Sequence, residues 1–92
     1  MALSDEELQI IEKWLYDTMH YELPFEQRKC LQISDGVFLV VEKNTAGDEI
    51  IGYKTRLIRD NESIPIYGHG EFSYKNDEKI VIDKTLQFLK SL

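Results

Sequence analysis

Arg28-Lys29-Cys30-Leu31-Gln32-Ile33-Ser34-Asp35-Gly36-Val37-Phe38-Leu39-Val40-Val41-Glu42-Lys43 is the stretch that decides the fold. Asp35-Gly36 stands between two apolar runs, and Asp-Gly in that setting is the strongest short-range signal for a β-hairpin. Val37 to Val41 is apolar without interruption, which predicts a central strand covered on both faces. The pattern continues outward. Asn44-Thr45-Ala46-Gly47-Asp48 reads as a turn, Glu49 to Arg59 as a long strand, Asp60-Asn61-Glu62-Ser63 as another turn, and Ile64 to Tyr74 as a fourth strand. Pro65 cannot donate to a ladder, so it marks an edge or a bulge at the start of that strand. Gly68 and Gly70 predict a further bulge or bend.

Helices flank this core. Ser4 followed by Glu7 is a capping box, with Leu3 and Leu8 placed for a hydrophobic staple. Asp5, Glu6 and Glu7 suit the positive end of a helix dipole. A helix is expected over about 5–20, stopped soon afterwards by Pro24. At the other end Val81, Thr85, Phe88, Leu89 and Leu92 share a helical stripe, which Asn76 or Asp77 would cap. Ile80-Val81-Ile82 is β-branched and also fits a strand, in which case that helix starts at Asp83. The expected class is α+β: an antiparallel four-stranded meander flanked by an N-terminal and a C-terminal helix, α-β-β-β-β-α, with both helices on one face. Residues 1–92 read as a single domain.

The charge is unevenly distributed. Residues 1–26 hold seven acids and one base, Lys13, whereas residues 27–92 hold ten of each. The net charge of −6 therefore arises in the first 26 residues. A phosphate backbone is held by clustered Lys and Arg. Lys54, Arg56 and Arg59 are interleaved with acids, so direct nucleic-acid binding is not expected. No apolar run approaches the ~18 residues of a membrane helix. The single cysteine, Cys30, excludes an internal disulfide and fits a reducing, cytoplasmic setting. As a strand residue it is expected to be a packed thiol.

No catalytic motif emerges. Gly68-His69-Gly70 lacks the third glycine and the following helix of a phosphate loop. His20 suits the negative end of the first helix. Tyr67, His69 and Glu71 would share one face of a regular strand and form an acid–base set, the basis for an alternative reading as a small-molecule binder or enzyme. No spacing supports a metal site, and no cofactor is expected. Leu8, Ile11, Leu15 and Met19 make one helical stripe. Ile10, Trp14 and Tyr21 make a second beside it, with Glu12 and Asp17 on the polar arc. Trp and Tyr are favoured binding anchors, and carboxylates steer a basic partner toward them. The leading expectation is a non-enzymatic, acidic protein-binding domain of the inhibitor, immunity or antitoxin kind. It would engage a basic protein through Ile10, Glu12, Trp14, Asp17 and Tyr21. A self-associating structural subunit is the third expectation, since a thin core and a broad apolar helix face both favour a homodimer.

Overall fold

The computed structural model describes residues 2–92. The elements run α1 (Asp5–Asp17), a π-helical turn (Thr18–Glu22), β1 (Arg28–Ser34), β2 (Val37–Ala46), β3 (Glu49–Arg59), β4 (Glu62–Tyr67) and α2 (Glu78–Lys90). The strands form one antiparallel sheet in the order β1-β2-β3-β4. The α-β-β-β-β-α meander is thus present. Both helices cover the face that carries Leu39, Val41 and Leu57, and they bury it with Leu8, Ile11, Leu15, Val81, Ile82 and Leu89. Each fully buried Leu or Val contributes about 1.5–3 kcal/mol relative to exposure.

The local signals act as the residues dictate. Ser4 Oγ accepts from the Glu7 amide at 3.1 Å, and Glu7 Oε1 accepts from the Ser4 amide at 3.0 Å, so two free amides at the start of α1 are satisfied. Asp77 caps α2 by accepting from the Ile80 amide at 2.9 Å. Ile80–Ile82 therefore belongs to the longer helix. α1 itself ends at Asp17, and the π-helical turn carries the helical path to Glu22, two residues past the expected end, with the Leu23 amide on the Thr18 carbonyl at 2.9 Å. Thr18 and Met19, three and four residues after Leu15, are both buried on the same face.

The fourth strand is shorter than its alternation predicts. It stops at Tyr67, and residues 68–77 fold back over the end of β3. Gly68 takes φ +89° and sits so close to the Tyr53 carbonyl that a Cβ there would collide with it. Gly52 on β3 is equally constrained, since a Cβ would lie 2.6 Å from the Tyr74 carbonyl oxygen. Asn76 holds the loop against β3 where the end of a longer β4 would have paired. Its Oδ1 accepts from the Tyr53 amide and its Nδ2 donates to the Tyr53 carbonyl, both at 2.9 Å. Buried Asn44 holds the loop from β2, donating through Nδ2 to the carbonyls of Gly68 (3.1 Å) and Tyr74 (3.0 Å).

The opposite face of the sheet carries no helix. Cross-strand rows Arg28–Glu42–Lys54, Cys30–Val40–Arg56–Pro65 and Gln32–Phe38–Ile58–Ser63 run across it. Val40 is nevertheless fully buried by its neighbours. Cys30 is exposed on this face rather than packed, because its neighbours Lys29 and Leu31 take the helix side.

Candidate functional site

The seam between α1 and β1 gathers most of the residues marked as binding candidates. Ile10 is 67% exposed and Tyr21 is 69% exposed, and Phe25, a few residues on, is open as well. Trp14 lies between them, half-buried against the core. A recess of about 600 Å³ is lined by Trp14, Thr18, Tyr21, Glu22 and the β1 residues Lys29 and Cys30. A second, of about 210 Å³, is lined by Leu3, Ile10 and Ile11 on the helix side and by Leu31 and Ile33 on β1. The two lie in tandem along the first strand. The π turn places Tyr21 and Glu22 at the lip of the larger one.

The acids divide between two sides of α1. Asp17 borders the larger recess, where its carboxylate meets Lys13 Nζ at 2.6 Å. That contact raises the Lys13 pKa through the hydrogen bond and the carboxylate charge. Glu22 and Glu26 flank Lys29, at 3.9 and 2.8 Å. Their carboxylates, Glu26 above all, raise the Lys29 pKa as well. Three carboxylates thus face two ammonium groups at this end of the seam. Glu12 points elsewhere, into the groove between α1 and α2 with Glu78 and Asp83. It adds to the field of the helix without touching the Ile10–Trp14–Tyr21 surface.

Tyr67, His69 and Glu71 do not share a strand face. The strand ends at Tyr67, which packs toward the core, and Glu71 is exposed in the following turn. His69 reaches back, with Nε2 2.9 Å from the Thr55 carbonyl oxygen, so that nitrogen carries the proton and donates. In this geometry the imidazole ties the loop to β3. His20 sits at the end of the first helix as its position implies. Its ring stacks on Tyr16 at 4.1 Å, and Nδ1 lies 3.2 Å from both the Tyr16 carbonyl and a Glu78 carboxylate oxygen.

Glu42, the residue that follows the apolar run of β2, is 7% exposed and sits between two arginines. Arg28 Nε lies 3.2 Å from Oε2, and Arg56 Nε lies 3.0 Å from Oε1 without the alignment of a hydrogen bond. The three-strand row across Arg28, Glu42 and Lys54 was the available signal, since opposite charges facing one another across strands stabilise a sheet. Among the described residues no group of three or more His, Cys, Asp or Glu is arranged to hold a metal ion, and no helix is long and apolar enough to cross a membrane. Comparison with protein-family models, with curated proteins and with solved structures gives no match to this chain.

Proposed function

We propose that this chain is a non-catalytic binding domain that takes a basic protein partner on the outer surface of α1 and the π turn, in the manner of small acidic inhibitor, immunity or antitoxin proteins. The observation that carries the reading is the exposure of Ile10 and Tyr21 on either side of half-buried Trp14, on the segment that holds seven acids and one base. A helix that served only to cover the sheet would turn such side chains inward. Aromatic and aliphatic anchors supply most of the energy of an interface from a few positions. Surrounding carboxylates act earlier, on the rate of encounter, because their field reaches about 8 Å at physiological salt.

The test is binding kinetics against the protein that co-purifies from the native host, at two salt concentrations. Glu12→Lys with Asp17→Lys slows association and flattens its salt dependence. Ile10→Asp with Tyr21→Asp mainly speeds dissociation, at a cost of about 2 kcal/mol or more. Glu12, Ile10 and Tyr21 are exposed, and Asp17 is part-exposed with only the surface Lys13 as its partner, so circular dichroism and the melting curve report an intact fold. An unchanged association rate in the folded charge-reversed protein, together with unchanged dissociation in the Ile10/Tyr21 variant, refutes the proposal.

A further inference from the structure

The sheet has two edges, and they are treated differently. β4 is short, contains Pro65, and carries a register shift opposite Thr55/Arg56. These are the usual devices that stop an edge from pairing. β1 has neither proline nor irregularity from Arg28 to Gln32, and the first register shift falls between Gln32 and Ser34. No strand lies on its outer side among the described residues.

The direction of its free groups follows from one bond. The Gln27 carbonyl accepts from the Lys43 amide at 3.2 Å, so Gln27 faces inward. Antiparallel ladders alternate, so Lys29 and Leu31 also face β2, across from Val41 and Leu39. The amides and carbonyls of Arg28, Cys30 and Gln32 therefore point outward from the sheet. Beside that row lie the two recesses of the α1–β1 seam. The one at Ile33 is mainly apolar, with Leu3, Ile10, Ile11 and Leu31, and Glu7 and Gln32 stand at its border. The one at Lys29 offers the rings of Trp14 and Tyr21, with the carboxylates of Asp17 and Glu22 set among the ammonium groups of Lys13 and Lys29.

We infer that the open edge of β1 takes an extended segment of the partner as a fifth strand, whose side chains on the helix side read aliphatic, aliphatic, arginine at alternate positions from the Ile33 end to the Lys29 end. This rests on the function proposed above and specifies how the partner is held. Strand addition of this kind derives affinity from main-chain bonds and specificity from pockets for alternate side chains. From Ile33 to Lys29 is four residues, about 13 Å at 3.3 Å per residue, which sets the spacing between the first aliphatic side chain and the arginine. The arginine is chosen over lysine because a planar guanidinium stacks on Trp or Tyr while its N–H groups reach a carboxylate. Lys13 and Lys29 do not oppose it, since each is held by its own carboxylate, Asp17 at 2.6 Å and Glu26 at 2.8 Å, which leaves Glu22, 3.9 Å from Lys29, to receive the guanidinium.

A second copy of this chain is a poor occupant. Pairing β1 with β1 would bring two α1 segments, each with seven acids and one base, to the same seam.

The test uses synthetic nonapeptides in which Ile, Val and Arg occupy successive alternate positions and Thr fills the rest. Each is made in both sequence directions, because a sheet edge accepts a parallel or an antiparallel strand. Trp14 is the only tryptophan, so its fluorescence reports binding at the seam. The expected result is saturable binding, at least tenfold loss when Glu replaces Arg, and at least tenfold loss when two alternate peptide nitrogens are methylated. Amide exchange at Cys30 and Gln32 slows at least tenfold in the complex. Binding that is indifferent to N-methylation, with no protection of those amides, overturns the strand pairing but leaves the α1 surface as a binding site. Failure of every peptide to bind, while the co-purified partner still responds to the α1 variants, overturns this inference alone. Protection of the β1 amides in the free protein at high concentration, with Cys30–Cys30 cross-links on mild oxidation, assigns the edge to a second copy and overturns it too.

Discussion

Replacing Asn76 with Ala removes the side chain that stands in for a strand beside β3. Three hydrogen bonds go with it: the Tyr53 amide to Oδ1, Nδ2 to the Tyr53 carbonyl, and Nδ2 to the Ser73 carbonyl. A typical bond contributes about 0.5–1.5 kcal/mol net, and a buried group left without a partner costs about 1–3 kcal/mol. The Tyr53 backbone is partly buried, so water offsets some of that penalty, and about 3 kcal/mol is the expected loss. In a domain of this size each kcal/mol moves the melting midpoint by about 4–8 °C, giving a fall of roughly 12–24 °C. Asn76→Asp separates the contributions. It keeps an acceptor for the Tyr53 amide, but sets a carboxylate against the carbonyls of Tyr53 and Ser73, and should be at least as destabilising as Ala. Urea titration followed by far-ultraviolet circular dichroism measures both. An Ala variant within about 0.5 kcal/mol of the parent, the range of ordinary surface substitutions, refutes the role given to this amide.

Two further predictions follow from single pairs of residues. Glu7 has its pKa lowered from the usual glutamate value, chiefly by the Ser4 amide and hydroxyl; its stabilising effect is therefore full above the unfolded pKa and lost as pH falls through the folded one, so the stability gap between the parent and Glu7→Gln should close on acidification. Thr55 and Thr85 are fully buried with their hydroxyl oxygens 2.7 Å apart; Thr85→Val should cost about 1–3 kcal/mol by orphaning Thr55, and Thr55→Val added to it should recover much of that in the same urea titration.

The elements that could be read from the sequence are those held by local chemistry. The capping box at Ser4 and Glu7, the Asp35-Gly36 turn and the apolar stripe of α1 need no distant partner to be recognised. β4 was overextended because Phe72-Ser73-Tyr74 alternates like a strand, while the forces that bend the chain at Gly68 come from Asn44 and Asn76, far apart in sequence. The exposure of Cys30 was available from parity: Leu31 and Ile33 claim the core side, so Cys30 falls on the other. Glu42 was hidden because its burial depends on Arg28 and Arg56 from two other strands. In the site, periodicity alone set Ile10 and Tyr21 apart from the core stripe. It could not reveal that Glu12 serves a different groove, since that depends on where α2 lies.

The meander has a consequence for the order of assembly. Every pairing in the sheet joins strands adjacent in sequence, so each closes a short loop at small entropic cost. The contact between α1 and α2 is different, because the two helices are separated by the whole sheet. Closing that loop confers little until the sheet exists to receive both helices. The hairpins are thus the natural nucleus, and the docking of the two helices is the late, cooperative step that seals the core. The same ordering runs backwards in partial opening. Undocking of the helices would bare Leu39, Val41 and Leu57 without breaking a single strand pairing, so amide exchange is expected to protect the β2 and β3 ladder more strongly than the two helices.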